Sequence, residues 1–160
     1  MNLEITKKDL VKGYEQIKQV IDLYITRNDI VFTSSTIAPN SFKRMKLYHN
    51  TFNQFLVYNG GDHGHLGREY NIKFRALHDY MHISNNLSFS FRSEKLLSRI
   101  TETVFANIAY NELNATHFEV TVIMSIIDAE IKGQIEYYQE YGKYVADQTK
   151  FIEQYLKVVA

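Results

Sequence analysis

From Val120 to Ile127 the chain is apolar on almost every side of a helix, through Val120, Val122, Ile123, Met124, Ile126 and Ile127. A helix that is hydrophobic all round has to be surrounded by protein. The spacing predicts this helix over residues 116–141, with Gly142 placed to end it in the left-handed conformation. The rest of the chain must then supply amphipathic elements to cover it.

It does so with helical periodicity. Leu10, Tyr14, Ile17, Ile21 and Tyr24 repeat at fours and threes, which predicts a helix over about 7–26. Thr6 and Asp9 form a capping-box pattern at its start, and Asn28-Asp29 ends it. A second helix is expected from near Ser41, carrying Phe42, Met45, Leu47, Tyr48, Phe52, Phe55 and Leu56. A third runs over about 70–84 and breaks at Asn85-Asn86. A fourth runs from Arg92 to Leu113, with Leu96, Leu97, Ile100, Val104, Ile108 and Leu113 inward and Asn114 as its stop. The last begins near Ala146 or Asp147 and carries Phe151, Ile152, Tyr155, Leu156 and Val159. Ile30-Val31-Phe32-Thr33 has strand character, but no second clear strand follows to pair with it. Four of the seven glycines fall between Gly60 and Gly67, which marks a loop. The expectation is an all-α, single-domain irregular bundle of five to six helices spanning 1–160.

Composition narrows the function classes. Lys+Arg and Asp+Glu both number 18, so nothing draws the chain to nucleic acid or to an anionic membrane. There is no cysteine, so a metal would have to be held by His, Asp, Glu or water. No apolar run is long enough to span a bilayer and the N-terminus has no signal core, which makes the cytoplasm the expected location.

The chemistry concentrates in Arg75-Ala76-Leu77-His78-Asp79-Tyr80-Met81-His82. On a helix Arg75, His78, Asp79 and His82 share one face. Imidazole nitrogen and carboxylate oxygen are ligands for a divalent metal ion, and a guanidinium fork suits phosphate. Glu94, near the start of the next helix, is a carboxylate that a turn could bring back to this stripe. Glu130 and Gln134 share a face of the central helix, and Gly133 between them implies close approach by a backbone or a ligand. Each residue also has a structural reading. Asp79 can bond Arg75 one turn away, Glu94 suits a helix's first turn, and Glu130 can sit where the helix leaves the core. The Gly60–Gly67 segment, with Asp62, His63 and His65, fits no phosphate-loop pattern; lying just before the third helix, it is expected as a connection or a lid. His117 is expected at the surface. Tyr137, Tyr138, Tyr141 and Tyr144 are expected as a packed aromatic belt.

Two family resemblances follow from these residues. Ala76-Leu77-His78-Asp79-x-x-His82 looks like the local text of the HD-domain metal-dependent phosphohydrolases. That all-α family implies an early His, a His-Asp pair and a distant Asp as ligands, here His49, His78-Asp79 and Asp128. Over about residues 72–156 the chain also resembles small uncharacterised proteins of tailed bacteriophages. Arg75, His78, Asp79, His82 and Glu94 match their first motif, Glu130, Gly133, Gln134, Tyr137 and Tyr138 the second, and Gly142, Tyr144, Gln148 and Phe151 the last. Where many of those proteins have Phe-Pro, this chain has Tyr144-Val145. This resemblance implies that Glu94 and Glu130 belong with the stripe.

The resulting expectation is a metal-dependent hydrolase of a phosphate ester or nucleotide. His78, Asp79, His82, Glu94 and Glu130 would hold a divalent metal ion, Arg75 would clamp a small anionic substrate, and Gln134 would orient water or substrate. The alternative is a non-catalytic phage accessory or host-defence-inhibiting protein whose polar cluster is a structural network. The Tyr-rich C-terminal region permits a homo-oligomer. A ferritin-like di-metal site wants Glu-x-x-His pairs, and the chain has none.

Overall fold

The computed structural model describes residues 3–160 and is an all-α irregular bundle. In order the chain forms α1 (Lys7–Arg27), β1 (Phe32–Ser35), α2 (Phe42–Phe52), β2 (Phe55–Tyr58), a 3-10 turn (Gly64–Leu66), α3 (Gly67–Ser84) and α4 (Phe91–Glu112). Then come α5 (His117–Asp128), a π-turn (Ala129–Gly133), α6 (Gln134–Tyr141) and α7 (Gln148–Tyr155). Because α5, the π-turn and α6 follow without a break, the described residues build six helical rods.

The apolar α5 lies at the centre, packed on α4 and α1. Ile123, Ile126 and Ile127 meet Leu10, Ile17 and Ile21 of α1, Leu77 and Met81 of α3, and Leu97 and Phe105 of α4 in one continuous core. Gly13 sets how closely α1 approaches, since a Cβ there would stand 2.7 Å from Ile126 Cδ1. The helix ends are fixed by the expected chemistry. Thr6 and Asp9 make a reciprocal capping box on α1, Thr116 and Glu119 make another on α5, and Gly142 closes α6 in the left-handed conformation at φ 66°.

The region from β1 to β2 differs from expectation. Phe55 and Leu56 leave the second helix and form β2, which pairs parallel with β1 in the register Phe32↔Phe55 to Ser35↔Tyr58. The physical cause is local. Asn53 caps α2 in the left-handed conformation at φ 53°, and Phe55-Leu56-Val57-Tyr58 then buries alternate residues, Phe55 and Val57. These two side chains, with Ile30 and Met45, pack on Ile72 and Ala76 of α3 as a second, smaller core. Helix α3 is thus held between two apolar clusters, and the face left over carries the polar stripe.

Candidate functional site

The turn after α3 builds the site. His82 is completely buried. Its Nδ1 lies 2.8 Å from the Leu87 carbonyl oxygen, while the Leu87 amide donates back to the His82 carbonyl at 2.9 Å. Asn86, in the left-handed conformation at φ 51°, makes this tight return possible. Ser90 then caps α4, accepting from the Ser93 amide, and the next residue, Glu94, lies in the first turn of α4 beside α3. The N-terminal end of a helix favours a carboxylate there. The Phe89 ring packs edge-on to His82 at 4.7 Å between centroids.

Three side chains converge. His78 Nε2 is 3.0 Å from Glu94 Oε2, His82 Nε2 is 3.1 Å from Glu94 Oε1, and the two Nε2 atoms are 3.1 Å apart. Bonds of about 2.0–2.2 Å to one metal ion place neighbouring ligand atoms roughly 3–3.5 Å apart, so these separations fit a shared ion. The tautomer points the same way. A proton on His82 Nδ1 bonds Leu87, which leaves the Nε2 lone pair of a neutral ring aimed at Glu94 and His78. The His82 lone pair and the Glu94 carboxylate are then two acceptors 3.1 Å apart, a pair that a metal ion or a proton between them would satisfy. A backbone carbonyl on the far nitrogen is the usual support of a metal-binding imidazole. His78 lacks such support, because its buried Nδ1 has no partner among the described residues. Burial pushes the Glu94 carboxyl up, but the electrostatic pull of His78 and His82 and their hydrogen bonds outweigh it and hold the group well below the usual range.

The remaining expected residues stand around this triad. Asp79 lies outside it and makes no hydrogen bond to the described residues; it faces the cavity beside it. Burial, reinforced by the charge of Glu94 and opposed by His82 and Arg75, pushes its carboxyl up to about 7. Arg75 serves the loop: its Nη1 donates to the carbonyls of Tyr58 at 2.7 Å and Gly60 at 2.9 Å. The edge of the guanidinium that carries Nη2 and Nε bonds none of the described residues.

Glu130 is also apart from the triad, because the π-turn and the core around α1 direct it to other partners. Tyr14 Oη donates to Oε1 at 2.6 Å and Gln134 Nε2 donates to Oε2 at 3.0 Å. Burial pushes this carboxyl up to about 7, with the two donors pulling the other way. Gly133 does mark a close approach, but of an aromatic ring: a Cβ there would stand 2.9 Å from Tyr155 Cε2. His49 and Asp128, the outer ligands implied by the HD-domain resemblance, are elsewhere. His49 stacks on Phe55 and Asp128 accepts from Tyr155 Oη at 2.9 Å. His117 is exposed at the start of α5.

A cavity of about 770 Å³ opens beside the triad, within the usual size range of small-molecule sites. Arg75, His78, Asp79, Glu94, Glu130 and Gln134 all line it. Ile37 and Tyr144, both largely exposed, also line it. The glycine-rich segment forms part of the wall and is tied down, with Asp62 Oδ2 accepting from the Gln148 amide at 2.8 Å. Tyr14 was not anticipated from the sequence, where it reads as one more residue of the apolar stripe of α1. The available signal was its hydroxyl, since a buried tyrosine needs a partner.

No protein family, no curated protein and no solved structure matches the chain.

Proposed function

We propose that this protein is a metal-dependent hydrolase whose substrate is a phosphate ester or nucleotide. The observation that carries the reading is the convergence of His78 Nε2, His82 Nε2 and a Glu94 carboxylate oxygen beside a cavity that His78 and Glu94 line. A divalent ion held there would make a water acidic enough to act as a nucleophile near neutral pH and would polarise a phosphoryl oxygen. The ligand atoms are nitrogen and oxygen only, which suits Zn, Mn, Fe or Mg. Asp79, unbonded and facing the cavity, is placed to accept a proton or to serve as a further ligand. The free edge of Arg75 would meet the anionic group.

The resemblance of residues 72–156 to tailed-bacteriophage proteins suggests a setting in which the protein works in the host cytoplasm. Among the described residues no helix is long and apolar enough to cross a membrane.

One observation favours a second reading, a structural network in a non-catalytic accessory protein. The triad separations are also hydrogen-bond distances, and His82 is fully buried, so protonated imidazoles paired with Glu94 would serve as a clasp between α3 and α4. Elemental analysis separates the two. Purified, tag-free protein equilibrated with Mn, Zn or Mg should hold near-stoichiometric metal, and His78→Ala should lose it while keeping its helical circular-dichroism spectrum. Wild-type protein that takes up no metal under any of these conditions would leave the clasp as the account of the triad.

A further inference from the structure

Glu130 is a half-buried carboxyl on the cavity wall that lies apart from the candidate metal triad. Its position is built by three elements. The π-turn Ala129–Gly133 carries it, α1 brings Tyr14 to Oε1 at 2.6 Å, and α6 brings Gln134 to Oε2 at 3.0 Å. π-turns inside helices are frequent at functional sites. Both neighbours are donors, so they occupy one lone pair on each oxygen and leave the other. No further partner for either oxygen exists among the described residues. That leaves room for a proton at one of the free positions, on a residue that lines the cavity. Tyr14 does not compete for the role, because burial holds its hydroxyl well above the ordinary phenol range.

The geometry points to Glu130 as the proton donor to the leaving oxygen of a phosphate ester whose phosphoryl group lies toward His78, His82 and Glu94. This rests on the hydrolase reading above. In the step, a water oxygen bonds to phosphorus and the ester P–O bond breaks. The leaving oxygen keeps that electron pair and takes the proton of Glu130, which becomes a carboxylate. The proton lost by the attacking water goes to solvent, and solvent returns one to Glu130. The products are the alcohol and inorganic phosphate. A carboxyl pushed up to about 7 by burial still carries its proton near neutrality, as this duty requires.

Leaving-group dependence tests it. Wild type and Glu130→Gln, each equilibrated with Mn, would be assayed on 4-nitrophenyl phosphate and on an alkyl phosphate monoester. Metal content would be measured alongside. Nitrophenolate leaves without a proton, whereas an alkoxide does not. The expected result is unchanged metal, a loss of roughly 100-fold or more on the alkyl ester and a loss of no more than a few fold on the nitrophenyl ester. Equal losses on the two esters, or none on either, in a variant that keeps its metal would overturn the role of Glu130 and leave the hydrolase reading standing. Wild type that binds Mn yet turns over neither ester would overturn both, and the silence of the wild type tells this outcome from the previous one.

Discussion

His82 and Leu87 hold each other twice, side chain to carbonyl at 2.8 Å and amide to carbonyl at 2.9 Å, and this double link aims the other imidazole nitrogen at Glu94. The candidate metal site is thus set by the turn from His82 to Leu87 as much as by helix packing. The two histidines of the triad differ in consequence. His82 is fully buried, while His78 is partly exposed on the cavity wall.

The two alanine variants should therefore separate. Both should lose metal. His82→Ala should also cost about 3–5 kcal/mol, since it strips a buried carboxylate of a partner and opens a void. His78→Ala should cost only about 1–2 kcal/mol. Urea unfolding and metal content on the same preparations check this, and equal destabilisation would place the two rings in equivalent surroundings.

The carboxyls give the metal-free protein a two-sided pH dependence. Glu94 is held below its ordinary value, so its contribution is full above about pH 4.5 and is lost as pH falls through its folded value. Glu130 is raised to about 7, so its contribution is full below its unfolded value and is lost as pH rises through about 7. A shift of this size corresponds to about 3 kcal/mol at most. Stability should decline between about pH 4.5 and 7, and Glu130→Gln should remove about half of that decline. Asp79, raised to about 7 for the same first reason, supplies a comparable share. Denaturation midpoints measured across this range decide it; a variant that keeps the full wild-type slope would remove Glu130 as its source.

Gly133→Ala should destabilise the protein although alanine is the better helix former. The gain in propensity is about 1 kcal/mol. Against it stands a Cβ 2.9 Å from the Tyr155 ring, which is itself anchored by Asp128 at 2.9 Å. Overpacking of this kind costs about 1–3 kcal/mol. A lowered melting temperature is expected, and a raised one would show that the ring yields freely.

Most of the fold was legible because it rests on local rules. The capping box at Thr6 and Asp9, the stop at Asn85-Asn86 and the left-handed Gly142 each depend on a few neighbouring residues, and each occurs. Strand β2 was not legible, because Phe55 and Val57 become a strand only when α2 stops at Asn53 and β1 lies alongside. The same division runs through the site. His78 and His82 are one turn apart on a single helix, so their shared face follows from spacing. The separate placement of Glu130 follows from a π-turn and from Tyr14 on a distant helix, whose hydroxyl signals a need for a partner but not which partner.

Arg75 offers the sharpest separation of scaffold from chemistry. Its Nη1 ties the carbonyls of Tyr58 and Gly60, which anchors the end of β2 and the start of the glycine-rich segment to α3. The Tyr58 ring lies 5.6 Å from the guanidinium carbon, adding an aromatic contact. Arg75→Gln removes the charge and weakens this strap, so amide exchange over residues 59–66 should quicken. The stability loss should be about 1 kcal/mol. Metal uptake should be unchanged, because none of the triad atoms bonds Arg75. If the free edge of the guanidinium also meets a phosphoryl group, the variant should show a raised KM for phosphate esters at nearly constant kcat, the pattern of lost uniform binding. Hydrogen exchange and steady-state kinetics on one preparation read the two roles separately. Faster exchange with an unchanged KM would confine Arg75 to the strap.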